Sequence, residues 1–196
     1  MTNRLGSSGS QAQEVVVGVS GHRFLAEPEL VTAGVEAAIS RIEQVFGQPL
    51  TILSSLAEGA DRLVVWRTLN RPLARLKAVM PLPEDHYLQD FRSDESRREF
   101  SKLLNRALEV VNLDPKPTRE EAYEAAGDYV VQNSRILIAV WDGQVELGRG
   151  GTGEVVNRAR LRRMPIAWVH AGNRKPGTNE PISLGSQQGS VSFENF

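Results

Sequence analysis

The chain has 196 residues, 40% hydrophobic and 24% charged, with a formal net charge of -1. That is enough for one domain with its own core, and it leaves no whole-molecule field to attract nucleic acid without specificity. Cysteine is absent, which excludes disulfides, thiolate metal sites and thiol catalysis and suits a cytoplasmic location; no apolar run approaches the length of a membrane span.

The opening MTNRLGSSGSQAQ is polar, lacks the basic-then-apolar signal pattern, and is expected to be a disordered lead-in over residues 1–13. Val15-Val16-Val17-Gly18-Val19 is short and β-branched, which predicts a buried strand running into Ser20-Gly21-His22-Arg23. Apolar residues at helical spacing from Leu30 to Val45 predict a helix over 28–46, with Pro28 in its first turn and Gly47 at its stop. A second strand is expected over 50–54. It enters Ser55-Leu56-Ala57-Glu58-Gly59-Ala60-Asp61 and then a helix ending near Leu69. A third strand follows over 75–80.

Residues 84–92 read as a loop carrying Tyr87 and Phe91, and 94–106 as a charged amphipathic helix. A fourth strand is expected over 108–113, then a breaker, Asp114-Pro115-Lys116-Pro117. Thr118 and Glu121 have the spacing of a capping box for a helix reaching about Asn133. The most apolar strand, 136–141, ends in Asp142-Gly143. Gly148-Arg149-Gly150-Gly151-Thr152-Gly153 opens a helix to Arg163, and a last strand covers 165–169. From Ala171 onward the chain is rich in Gly, Ser, Asn and Pro and reads as an irregular, poorly packed tail.

Nearly all-apolar strands alternating with helices imply a mostly parallel sheet covered on both faces: a Rossmann-like three-layer α/β/α domain over 14–170, flanked by the lead-in and by a tail over 171–196. Ligands of such folds sit beyond the carboxyl ends of the strands, which singles out four loops. In the first, Ser20, Gly21, His22 and Arg23 combine a hydroxyl, a close backbone approach and a guanidinium matched to phosphate; a plain turn with a surface arginine is the alternative. In the second, Ser54, Ser55, Glu58, Gly59 and Asp61 stand at a helix N-terminus. There Glu58 could accept from ribose hydroxyls, or Glu58 and Asp61 could simply cap the helix. In the third, Asp142 is either a ligand acceptor or an Asx turn, and Trp141 is either a stacking surface or core.

The fourth loop holds Gly150, Gly151, Thr152, Gly153 and Glu154. Several glycines before a helix form an anion cradle, and Thr152 adds a hydroxyl. It is neither a Walker A loop nor the dinucleotide fingerprint after a first strand. The histidines His22, His86 and His170 have no metal spacing; no metal and no cofactor is expected. Arg158, Arg160, Arg162 and Arg163 form a basic stretch that reads as a solvated face or a nucleic-acid contact.

Three of these segments resemble the SLOG superfamily, named for the DNA-processing Smf proteins and the Lonely Guy phosphoribohydrolases. They are Gly18-Val19-Ser20-Gly21-His22-Arg23, Ser55-Leu56-Ala57-Glu58-Gly59-Ala60-Asp61 and Gly150-Gly151-Thr152-Gly153-Glu154. The resemblance implies a Rossmann-like fold and binding of a nucleotide or nucleotide derivative. Its hydrolase branch, once taken for lysine decarboxylases, cleaves the N-glycosidic bond of nucleoside monophosphates. Against that branch's motif, Arg149 replaces a proline and the spacer before Thr152 is shortened. The expected function is therefore nucleotide binding or sensing. Phosphate would sit on Gly150 to Gly153 and Ser20 to Gly21, near Arg23, with ribose on Glu58 or Asp142. N-glycoside hydrolysis, with Glu154 first and Glu58 second as the catalytic carboxylate, is the alternative, and nucleic-acid binding through the arginine stretch is the third reading. Homo-oligomers are common for this fold.

Overall fold

A computed structural model of the chain describes residues 14–144 and 150–196; the expected lead-in over 1–13 and the first two residues of the glycine loop, Gly148 and Arg149, lie outside them. Seven strands form one sheet: β1 (Val15–Gly21), β2 (Leu50–Ser54), β3 (Arg75–Met80), β4 (Glu109–Asn112), β5 (Ile136–Trp141), β6 (Ile166–His170) and β7 (Val191–Glu194). Their order is β4-β3-β2-β1-β5-β6-β7. The first six run parallel and only β7 is antiparallel, on β6. The chain winds outward from β1 to β4, returns to place β5 on the other side of β1, and winds outward again. The turning point of this doubly wound order lies between β1 and β5.

Two apolar cores flank the sheet. One packs β1, β2 and β3 side chains such as Val17, Ile52 and Leu76 against α1 (Pro28–Phe46), α2 (Ala60–Leu69) and α4 (Asp94–Leu104). The other packs Leu53, Leu137 and Ala139 against α5 (Arg119–Asn133) and α6 (Thr152–Leu161). The three layers expected from the sequence are thus present. Strands buried on both faces have no polar side to show, which is why β2 and β5 are buried along their whole lengths.

The helix boundaries follow local chemistry. Pro28 opens α1 and Gly47 closes it. The Thr118 hydroxyl accepts from the Glu121 N–H at 3.2 Å to start α5, and Ser93 does the same for Ser96 at the start of α4. Three expectations change. β1 runs on to Gly21, so Ser20 and Gly21 end a strand instead of lying in a loop. Residues 84–92, read as a loop, contain a short helix, α3 (Glu84–Tyr87), and a 3-10 turn, Leu88–Asp90. Tyr87, Phe91 and Phe100 stack edge-on or tilted at centroid distances of 5.0–5.6 Å, and burying three rings holds the segment down.

The tail is also more ordered than its composition implies. Val191–Glu194 pairs with β6 as β7, and Gln188, 6% exposed, ties three segments together. Its Nε2 donates to the Ala26 carbonyl at 2.5 Å, and its Oε1 accepts from the Gly172 and Leu184 N–H groups at 2.8 and 3.2 Å. A polar segment packs here because one buried amide satisfies backbone groups that would otherwise be stranded, and because the β6 edge needs a partner.

Candidate functional site

The carboxyl ends of β1 and β5, where the winding reverses, frame a cavity of about 430 Å³. Ser20, Gly21, His22 and Arg23 line it from the end of β1 and the loop after it. Ser55, Ala57 and Asp61 line it from the loop after β2 and the first turn of α2; Gly150, Gly151 and Thr152 line it from the start of α6. Nine residues singled out in the sequence therefore meet around one space.

Close backbone packing brings the first two loops together. A Cβ on Gly21 would stand 2.5 Å from the Ala60 Cβ and from the Val140 carbonyl oxygen. Gly59, at φ 79°, presses against the His22 and Arg23 carbonyls, where a Cβ would come within 2.5 Å of both oxygens. The His22 carbonyl accepts from the Ala60 N–H at 3.0 Å. Gly59 is thus a packing residue beneath the cavity, not part of its lining.

Asp61 is 6% exposed. Its Oδ2 accepts from the Ser54 hydroxyl at 2.8 Å, and the N–H groups of Ala57 and Ser55 also point at the carboxylate. Burial pushes its pKa up to about 6 against the opposing pull of Ser54 and the Arg23 charge. Ser54 lies beneath the surface as a positioning group, and its Oγ also accepts from the Leu56 N–H at 2.9 Å.

Arg23 is exposed at the mouth, its guanidinium 5.3 Å above the Tyr123 ring centroid. The Tyr123 hydroxyl donates to Asp90, and Arg119 pairs with the same carboxylate at 2.6 Å. Tyr87 closes the wall from α3; burial first, then the Asp61 charge, raises its pKa well above the ordinary phenol value, so it is a neutral O–H. His22 is buried: Nε2 accepts from the Asp142 N–H at 3.1 Å and Nδ1 lies 3.2 Å from the Asn173 amide.

Further candidates stand outside the cavity lining, as Ser54 and Gly59 do. Glu58 accepts from the Arg92 N–H at 3.1 Å and from the Ser96 hydroxyl, docking α4. Asp142 accepts from the Gln144 N–H at 2.9 Å in an Asx turn. Glu154 accepts from the Gly150 N–H at 2.7 Å and lies 3.9 Å from Arg158, so it braces the glycine loop from within. Gly153 belongs to α6. Trp141 is core, packed against Trp168 at 5.9 Å. Among the described residues no group of three or more His, Cys, Asp or Glu is placed to hold a metal ion.

Sequence reasoning missed Tyr87, Tyr123, Asn173 and Arg174 as lining residues. A signal existed for the last two: they follow β6 directly, and the rule about strand ends applied to that loop as well as to the other four. Tyr123 sits inside a helix, where nothing local marks it.

No family model and no curated protein matches the chain. The fold does have a solved counterpart. It is similar to the X-ray structure of DNA processing protein A (DprA) from Streptococcus pneumoniae, with a TM-score of 0.52 and 17% identity, over 88% of this chain and 52% of that one. The resemblance read from the three loop motifs is borne out at the level of the Rossmann-like fold, and the chain spans about half the length of that neighbour. No helix among the described residues is long and apolar enough to cross a membrane.

Proposed function

We propose that the cavity binds a nucleotide or nucleotide derivative, and that the domain acts as a binding or sensing module. One observation carries the reading: at the turning point of the sheet, the N-terminus of α6 with the Thr152 hydroxyl, the exposed Arg23 guanidinium and the Asp61 carboxyl all line one cavity. The first N–H groups of a helix have no intrahelical acceptor and favour an anion, and Arg23 adds a fork matched to phosphate. The volume suits a ligand of mononucleotide size.

The competing readings draw less from the geometry. Glu154 and Glu58, the carboxylates expected for N-glycoside hydrolysis, are bonded to the protein's own backbone or hydroxyls outside the cavity lining. The arginine stretch is partly spent: Arg158 pairs with Glu124 and Asp128, each at 2.5 Å, and Arg160 with Glu194 at 2.7 Å. The neighbour's printed name concerns DNA, but its likeness to this chain is one of fold.

A thermal-shift panel of nucleoside mono-, di- and triphosphates tests the proposal, because a ligand that binds only the native state raises its melting temperature. Stabilisation by at least one nucleotide is expected, and Arg23→Ala should weaken that binding by roughly tenfold or more. Absence of any shift across the panel overturns the proposal. Chromatography of the same samples for free base reads the hydrolase alternative directly.

A further inference from the structure

Resting on the nucleotide reading, we infer that Asp61 makes the cavity select ribonucleotides by accepting a hydrogen bond from the sugar's 2′- or 3′-hydroxyl. The sequence offered Glu58 and Asp142 for the ribose, and the structure engages both elsewhere. Asp61 is the acidic side chain in the cavity lining.

Its surroundings leave it capable of the task. A carboxylate has about four lone-pair sites. The Ser54 hydroxyl donates to Oδ2 at 2.8 Å, the Ser55 and Ala57 N–H groups favour the ionised carboxylate, and the residue lines the cavity. Burial raises the pKa to about 6, so at pH 7.5 the group is an ionised acceptor on the cavity lining. A ligand hydroxyl is a donor suited to it. Arg23 and the helix end are donors only and cannot perform this role.

The sheet order sets the span. Asp61 follows β2 on one side of β1, whereas the α6 N-terminus follows β5 on the other. Two strand spacings separate these sides, on the order of 10 Å. A nucleoside 5′-phosphate lying across the end of β1, with its phosphate at α6, reaches the Asp61 side with its sugar hydroxyls once hydrogen-bond lengths are added at both ends.

The test measures affinities of the four ribonucleoside 5′-monophosphates and the four 2′,3′-dideoxy counterparts at pH 7.5, by calorimetry, for the wild-type chain and Asp61→Asn. The wild type should prefer the ribo form of its favoured base by about tenfold or more, the worth of a hydrogen bond to a charged group. Asp61→Asn should lose most of that preference while still binding the dideoxy form as the wild type does, which shows the anion end intact. Equal wild-type affinity for ribo and dideoxy forms overturns the inference and leaves the nucleotide reading standing. A ribo preference that survives Asp61→Asn also overturns it. If none of the eight compounds binds and the wider panel is silent too, the nucleotide reading fails and this inference fails with it. The wild-type comparison needs no variant, so misfolding of Asp61→Asn would not shield the inference.

Discussion

Two walls of the same cavity use glycine for opposite reasons. On the wall built from the loops after β1 and β2, Gly21 and Gly59 exist to let backbones touch: a side chain at either would strike carbonyl oxygens at 2.5 Å. Polar groups beside that wall bond within the protein. Arg62, 3% exposed, donates to the Leu56 carbonyl at 3.0 Å and to Ser96 and Glu99 at 2.8–3.1 Å, and lies 4.4 Å from the Phe91 ring centroid. On the wall at the start of α6, the glycines precede a helix whose first N–H groups have no intrahelical acceptor. There the Gly150 N–H is taken from within, by Glu154. The first wall is scaffold that carries one carboxyl; the second presents a helix N-terminus with the Thr152 hydroxyl. Identical residue types in a sequence therefore do not mark equivalent roles.

This contrast can be broken by substitution. The largest effect is expected for Gly59→Ala, which combines a positive φ with backbone collisions; chemical denaturation should show a loss of about 3 kcal/mol or more. A change of under 1 kcal/mol would mean that the two loops are not packed as described.

A comparable effect should appear in the pH dependence of stability. Asp61 has a folded pKa raised to about 6, chiefly by burial, with Ser54, Arg23 and the N–H groups of Ala57 and Ser55 opposing, and with the neutral Tyr87 facing it. The native state therefore holds the proton more tightly than the unfolded chain. The resulting stabilisation is full below the unfolded carboxyl value near 4 and is lost as pH rises through about 6, an effect of up to about 3 kcal/mol. Denaturation curves between pH 4 and 7.5 should show this decline, and Asp61→Asn should flatten it. An unchanged slope in the variant would assign the decline to other groups.

The smallest effect sharpens the other wall. Thr152→Val keeps the shape and removes the hydroxyl. Stability should shift by about 1 kcal/mol or less, whereas the affinity for whichever nucleotide binds should fall by roughly fivefold, as for one neutral hydrogen bond. Loss of stability without loss of affinity would make Thr152 a structural residue.

Much of this is legible in the sequence alone. Runs such as Val15 to Val19 and Ile136 to Trp141 are apolar on every residue, and only a strand covered on both sides tolerates that; hence the three layers and the location of the site at strand ends. Motifs at Ser20 to Arg23 and Gly150 to Thr152 pointed to the cavity because they lie at or just beyond the carboxyl ends of β1 and β5, where ligands of such folds sit. Asp61 was visible only as a helix-start carboxylate. Glu58, three residues away, had the stronger claim to the ribose, and no local feature says which of the two faces inward.

Sequence by itself thus determined the alternation of elements, their buried faces and the loops among which a ligand would have to sit. Hydrophobic period and capping chemistry are local, so a single chain displays them. Tertiary structure decided what depends on distant partners. Ser96 and Arg92 draw Glu58 away to α4, Gly150 occupies Glu154, and Gln188 binds a polar tail to the β6 side of the sheet. In each case a polar side chain satisfies a donor or acceptor that folding would otherwise strand, and which group needs satisfying is fixed only when the backbone has closed around it.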